Sequence, residues 1–70
     1  MSSWRITSVD ENDKEIEIAY IDENNNISGT FAQSVKERLL RYGWPGRTPQ
    51  EIFSPFSRTG VEEILTNPPV

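Results

Sequence analysis

The sequence contains no cysteine and no histidine. The first absence excludes disulfides, thiolate metal sites and cysteine nucleophiles. The second removes the side chain that most often acts as a general base near neutral pH. Carboxylates could still perform acid–base chemistry, but Glu15 and Glu17, the closest pair on a predicted strand, are expected on a solvated face. Because a chain of 70 residues also has little volume for a substrate pocket, we expect no enzyme and no cofactor.

Long apolar runs are missing as well. No stretch approaches the roughly 20 apolar residues of a membrane span. The N-terminal residues 1–5 lead directly into alternating residues, without the charged region and apolar run of a secretory signal. We therefore expect a cytoplasmic protein. The length predicts a single domain of marginal stability, to which formation of a homo-oligomer or binding of a partner could contribute.

The charge of the chain is unevenly distributed along its length. The net charge is −4. Residues 1–33 contain two basic and seven acidic side chains, whereas residues 34–70 contain five basic and four acidic ones. The acidity therefore belongs to the first half of the chain.

The first half of the chain has the alternating pattern that is typical of β-strands. Three segments show it: residues 4–9, 15–21 and 27–31. Two polar turns separate them, at residues 10–14 and 22–26. In the second strand, three apolar side chains are expected to share one face: Ile16, Ile18 and Tyr20. The sequence predicts an antiparallel β-hairpin or three-stranded meander over residues 4–31, in which Gly29 weakens the third strand.

The second polar turn also resembles the start of a calcium-binding loop. Asp22, Asn24 and Asn26 occupy the first, third and fifth positions of that pattern. The pattern then fails, because Ile27 stands where the loop needs glycine and Gln33 stands where it needs glutamate. The first turn fails earlier, so both segments are interpreted as hairpin turns and no metal site is expected.

The periodicity changes to that of a helix after Phe31. Val35, Leu39 and Tyr42 recur at spacings of four and three. Ser34 and Glu37 have the spacing of a capping box, and Gly43 is a natural helix stop. Glu37 and Arg41 are spaced for an ion pair on the opposite side. The sequence therefore predicts one main helix.

Two shorter helices are expected further along the chain. Thr48, Pro49 and Glu51 form a second capping pattern with proline at the first helical position. This helix must end before Pro55. A third capping pattern, Thr59-Gly60-Val61-Glu62, predicts a last turn or two through Leu65. The helical part thus covers residues 32–66, and residues 67–70 form a C-terminal tail.

These elements together predict a small α+β domain over residues 1–70, with the meander packed against one main helix and one or two short C-terminal helices. The expected core consists of apolar residues from every element: Trp4, Ile6, Ile16, Ile18, Tyr20, Phe31, Val35, Leu39, Tyr42, Ile52, Phe53, Ile64 and Leu65.

The residue types favour binding to another protein as the function. Trp and Arg are enriched at interaction hot spots, and loops project side chains outward. The predicted partner-binding residues lie on the basic helix, at the turn that follows it and near Pro55: Arg38, Arg41, Trp44, Arg47 and Phe56. Trp44 could equally fold back over the core. The hypothesis is an accessory or regulatory module with an unidentified protein partner.

Two alternatives remain open. The basic helix, with Tyr42 and Trp44 available for stacking, could bind nucleic acid weakly. Alternatively, the acidic half could mimic a phosphate backbone, as small acidic inhibitors of phages and plasmids do, although the likeness is one of composition only. That inhibitor would use the acidic residues of the predicted hairpin: Asp10, Glu11, Asp13, Glu15, Glu17, Asp22 and Glu23.

Overall fold

The computed structural model describes residues 2–65, so the predicted tail at 67–70 lies outside the described residues. Within this range the chain forms, in order, β1 (Ser2–Val9), β2 (Glu15–Ile21), β3 (Ile27–Ser28), α1 (Ala32–Arg41), α2 (Pro49–Phe53) and β4 (Thr59–Leu65). The strands form one antiparallel sheet in the order β3-β2-β1-β4. The α+β class, the meander and the main helix are confirmed.

The last strand corrects the prediction of a helix at Thr59–Leu65. β4 pairs with β1 along its whole length, from Ser8↔Thr59 to Ser2↔Leu65. A capping pattern is a local signal that stabilises a helix by about 1 kcal/mol. Here β1 offers a full ladder of backbone partners, and the β-branched residues of the segment favour a strand. The non-local pairing therefore outweighs the local signal.

A β-bulge at Ile18 determines which side chains of β2 reach the core. Ile6 pairs with Ala19 but the next residue, Thr7, pairs with Glu17, so Ile18 is an extra residue. Residues that are paired across two strands lie on the same face of the sheet. An extra residue in β2 therefore reverses the face to which each following side chain of that strand points. Tyr20 therefore lies opposite Arg5, on the face away from Ile16, and the prediction that these residues share a face was wrong.

Gly29 allows the chain to cross over this bulge. Its φ of +118° is in the region that favours glycine, and a Cβ there would lie 2.9 Å from both the Ala19 Cα and the Ile18 carbonyl oxygen. The Phe31 amide then donates to the Ile18 carbonyl at 2.9 Å. This hydrogen bond fixes the start of α1 beside β2.

The core is smaller than the sequence predicts. Buried apolar side chains come from the sheet and both helices: Ile6, Ala19, Ile21, Val35, Leu39, Ile52 and Phe53. Trp4 and Ile18 pack partly against them. Five other predicted core residues are exposed, which corrects the prediction: Ile16, Phe31, Tyr42, Ile64 and Leu65. Tyr20, also predicted in the core, is half-buried on the outer face of the sheet. The helices are too short to cover the whole sheet, and Ile64 shares the outer face with its partner Ser3.

Two of the three predicted helix caps, those of α1 and α2, have opposite outcomes. At α2 the capping box is present, with the Glu51 amide and the Thr48 hydroxyl 3.2 Å apart. The backbone amide of Thr48 donates to the Glu51 carboxylate and holds the pKa of Glu51 below its ordinary value. In α1 the predicted cap Ser34 lies inside the helix, because the chain reverses at Gly29 and the helix begins at Ala32. That correction leaves Phe31, whose side chain cannot accept a hydrogen bond, at the N-cap.

The end of α1 has the geometry of a Schellman motif. The Trp44 amide donates to the Leu39 carbonyl at 2.9 Å, the Gly43 amide donates to the Leu40 carbonyl at 3.4 Å, and Gly43 has a φ of +102°. The predicted stop at Gly43 is confirmed. The motif turns Trp44 back toward the core, where its side chain is half-buried.

Candidate functional site

A groove of about 340 Å³ lies between α1, α2 and the bulged part of the sheet. Its apolar surface comes from Ile18, Val35 and Phe53. Phe31 stands at its edge with 52% of its surface exposed. The groove exists because α1 begins beside the bulge and leaves the neighbouring end of the sheet uncovered. This is the most apolar concave surface that we find in the described part of the chain.

Polar groups surround the apolar part of the groove. The hydroxyl-bearing residues Ser8, Ser34 and Thr59 come from β1, α1 and β4 respectively. Arg38 completes the lining. An apolar surface with a few polar groups at its margin is the usual composition of a binding pocket. The hydroxyls can donate to or accept from a bound backbone.

Arg38 is held at the groove by an aromatic side chain. Its guanidinium carbon lies 4.8 Å from the centroid of the Phe56 ring, in a cation–π arrangement. The Phe56 ring in turn contacts Phe53, with the ring centroids 6.1 Å apart and the planes tilted by 58°. No carboxylate among residues 2–65 forms an ion pair with Arg38. The positive charge is therefore positioned and available to a ligand.

The structure brings together only part of the predicted partner-binding set. Arg38 and Phe56 are in contact at the groove. Arg41 lines a second depression on α1, of about 210 Å³, together with Ser34, Glu37, Arg38 and Tyr42. Trp44 and Arg47 belong instead to the turn after α1.

That turn is tightly closed. The Arg47 amide donates to the Gly43 carbonyl at 3.0 Å, and the Trp44–Pro45 peptide bond is cis. The side chain of Arg47 lies over Gly43, where an added Cβ would be 3.4 Å from the Arg47 Cδ. Trp44 and Arg47 thus support the end of α1 rather than line the groove.

Sequence reasoning missed the groove residues Ile18, Phe31 and Ser34 as a site. Phe31 and Ile18 were predicted in the core, and Ser34 was predicted as a cap. The available signal was the spacing of Phe31, Val35 and Arg38, which places them on one side of a helix that begins before Ser34. The bulge that turns Ile18 toward them has no local signature in the sequence.

The basic residues of α1 are not neutralised by the acidic ones. The prediction of an ion pair between Glu37 and Arg41 was wrong. The Glu37 carboxylate instead accepts a hydrogen bond from the side-chain amide nitrogen of Gln33 at 3.2 Å. No carboxylate among residues 2–65 is paired with Lys36 or Arg41 either. The exposed side of α1 is consequently a basic surface.

The face of the sheet away from the helices carries Glu15 and Glu17 of β2 and Glu62 of β4, whereas Glu63 of β4 lies on the face of Trp4. Arg5 forms an ion pair and hydrogen bond with Glu62. This bond, together with the fields of Glu17 and Glu15, raises the pKa of Arg5. The remaining acids of the proposed inhibitor surface lie in the turns at 10–14 and 22–26, at opposite ends of β2.

Neither a metal centre nor a membrane span is found in the described residues. Residues 2–65 contain no group of three or more acidic residues that could hold a metal ion. No helix in that range is long and apolar enough to cross a membrane. A comparison with known proteins found no matching family model, no matching curated protein and no matching solved structure.

Proposed function

We propose that this protein is a non-enzymatic accessory or regulatory module of the cytoplasm, which binds another protein through the groove between α1, α2 and β2. The observation that carries the proposal is the combination of an exposed Phe31, an apolar groove and, at its margin, an Arg38 that forms no ion pair with residues 2–65. Aromatic residues and arginine, grouped around a concave apolar surface, are typical of interaction hot spots.

The geometry supports an interaction better than it supports catalysis. The groove is near the lower limit of about 300 Å³ for small-molecule pockets. Its lining contains one ionisable side chain, Arg38, which stays protonated at all physiological pH values. Such a lining offers no general base, whereas it can accept a side chain of a partner.

The two alternatives have weaker support. For an acidic inhibitor, the carboxylates are divided between two turns at opposite ends of β2 and one face of the sheet. For nucleic-acid binding, Trp44 is half-buried in the turn after α1 and contributes little stacking surface. We therefore keep protein binding as the proposed function.

The proposal is tested by blocking the groove without changing the core. In Ser34→Trp a large side chain replaces an exposed residue of the lining. The matched control, Leu40→Trp, introduces the same residue at another exposed position of α1, outside the groove lining. Both tagged variants and the wild type are purified from the native host, and the captured proteins are identified by mass spectrometry.

We expect a protein that is captured by the wild type and by Leu40→Trp but not by Ser34→Trp. Circular dichroism should show that all three fold alike. If the same proteins are captured by all three, or if no protein is captured by any of them, the groove is not the binding surface.

A further inference from the structure

The charge around the groove indicates what kind of protein segment it accepts. Lys36, Arg38 and Arg41 project from α1 without an ion-pair partner among residues 2–65. The one acid of the helix, Glu37, accepts a hydrogen bond from the neutral side chain of Gln33 and keeps its charge, so α1 carries three positive charges against one negative charge. The strand carboxylates Glu15 and Glu17 share the face of Arg5 on the other side of the sheet. The helix that forms one wall of the groove is therefore net positive, although the chain as a whole is negative.

The apolar part of the groove accepts one bulky side chain. Ile18, Val35 and Phe53 are supplied by β2, α1 and α2, so the surface is fixed by the tertiary fold. Phe31 at the edge would be covered when such a side chain enters. Burial of one large apolar side chain anchors a bound segment but is too little for a stable complex alone. The flanking charges must therefore contribute.

From this arrangement, and on the basis of the proposed function, we infer that the partner is an acidic peptide segment with one large apolar side chain. The apolar side chain enters the groove between Ile18, Val35 and Phe53. Carboxylates beside it in the peptide bind Arg38 and Arg41. Arg38 suits this role, because the contact with Phe56 holds its guanidinium in place and leaves its N–H groups free to donate to a carboxylate.

The inference is tested with fluorescein-labelled peptides of nine residues and of three designs. The first has a central Leu or Phe flanked by Asp and Glu. The second keeps the centre but has Lys flanks, and the third keeps the acidic flanks but has a central Ala. Binding to the full chain is measured by fluorescence anisotropy at two salt concentrations, with an unlabelled DNA oligonucleotide and decanoate as competitors.

We expect the first design to bind at least about tenfold more tightly than the other two, because the second lacks the contacts of its carboxylates with Arg38 and Arg41 and the third lacks the buried side chain. Its affinity should fall as salt rises. Arg38→Glu should reverse the preference between acidic and lysine flanks. The matched control Lys14→Glu makes the same change of charge in the first hairpin turn and should leave the preference unchanged.

Each other outcome overturns the inference. Equal binding of the lysine peptide, or an equal effect of Lys14→Glu, would show that the local charge does not select the ligand. Displacement by the oligonucleotide or by decanoate at comparable concentration would assign the groove to another ligand. A concentration-dependent dimer lost in Arg38→Glu would assign it to a second copy of the chain. In a last outcome, no peptide binds, but Ser34→Trp still fails to capture a protein that the wild type captures. The groove would then bind a protein, as proposed, but the inference that its partner is an acidic segment would be wrong.

Discussion

Asp10 and Asp22 adopt the same conformation and the same set of hydrogen bonds in turns at the two ends of β2. The Asp10 carboxylate accepts from the amides of Asn12 and Lys14 at 2.8 and 2.9 Å. The Asp22 carboxylate accepts from the amides two and four residues later at the same two distances. The residue three positions after each aspartate has a positive φ, of 60° and 65°. The shared Asp-Glu-Asn sequence therefore encodes one turn used twice.

The first prediction concerns the pH dependence of the second turn. The backbone amides of Asn26 and Asn24, and the side chain of Asn26, hold the pKa of Asp22 below its ordinary value. A depressed pKa in the folded state means that the carboxylate stabilises the fold above its unfolded pKa. This stabilisation is lost as the pH falls through the folded pKa.

Asp22→Asn should therefore reduce the acid sensitivity of unfolding, since an amide oxygen still accepts the backbone hydrogen bonds but does not titrate. Asp22→Ala should be less stable than Asp22→Asn at neutral pH, because it removes the acceptor. Urea unfolding at neutral pH and at about pH 3 measures both effects. An equal loss of stability in acid for wild type and Asp22→Asn would contradict this role of Asp22.

The elements that the sequence predicted correctly are those with strong local signals. The turns at 10–14 and 22–26, the stop at Gly43 and the cap at Thr48 each depend on residues within a few positions of one another. The segment predicted as the last helix forms the strand β4 instead, because it pairs with β1, which is more than 50 residues away in the chain. Such a pairing leaves no local trace, so a capping pattern was mistaken for a helix start.

The site was predicted less well than the fold for the same reason. The positive side of α1 was visible in the sequence, and two of the predicted partner-binding residues, Arg38 and Phe56, are in contact in the structure. The apolar part of the groove depends on the bulge at Ile18 and on the early start of α1 at Ala32. Both follow from the crossing of Gly29 over β2, which is a tertiary contact. Whether this surface binds a partner stays a prediction.

The second prediction uses Gly60 to test the last strand. In the structure a Cβ at Gly60 would lie 2.7 Å from the Thr7 hydroxyl oxygen on β1. Gly60→Ala should therefore destabilise the protein by about 1–3 kcal/mol, the usual effect of overpacking. In a helix the same change would have the opposite sign and stabilise by up to about 1 kcal/mol. The double variant Thr7→Ala/Gly60→Ala should recover part of the loss in urea unfolding, and stabilisation by Gly60→Ala alone would exclude the strand.

The third prediction contrasts the two helix caps. Thr48→Ala removes the hydroxyl that accepts from the Glu51 amide and should cost about 1 kcal/mol in the free energy of unfolding. Ser34→Ala changes a residue inside α1 and should have no such cost, because alanine is the better helix former there. Thermal unfolding followed by circular dichroism compares them directly. A larger loss for Ser34→Ala than for Thr48→Ala would place the cap of α1 at Ser34 after all.

The fourth prediction concerns Trp44, whose role the sequence left open between core and surface. Its half-buried side chain packs against the core next to the Schellman motif of α1. Trp44→Ala should therefore lower the free energy of unfolding by roughly 2 kcal/mol, less than the 3–5 kcal/mol for a fully buried aromatic. Trp44→Phe should retain most of that stability. If Trp44→Ala unfolds like the wild type, the side chain contributes little to the core and belongs to the surface.

The fifth prediction concerns the outer edge of β4. Within residues 2–65 no strand pairs with this edge, which is seven residues long. Exposed strand edges promote pairing between chains, and charged side chains are the usual protection against it. Glu62 is engaged by Arg5 on the outer face of the sheet, whereas Glu63 lies on the other face, opposite Trp4.

Glu63→Val should therefore increase self-association, since it removes a charge from the edge strand and adds a β-branched residue. Sedimentation velocity over a range of protein concentrations measures the change. Glu37→Val removes the same charge from the exposed side of α1, where no strand edge is available, and serves as the matched control. Equal self-association of the two variants would attribute the effect to the loss of net charge, and the edge of β4 would then need no protection by Glu63.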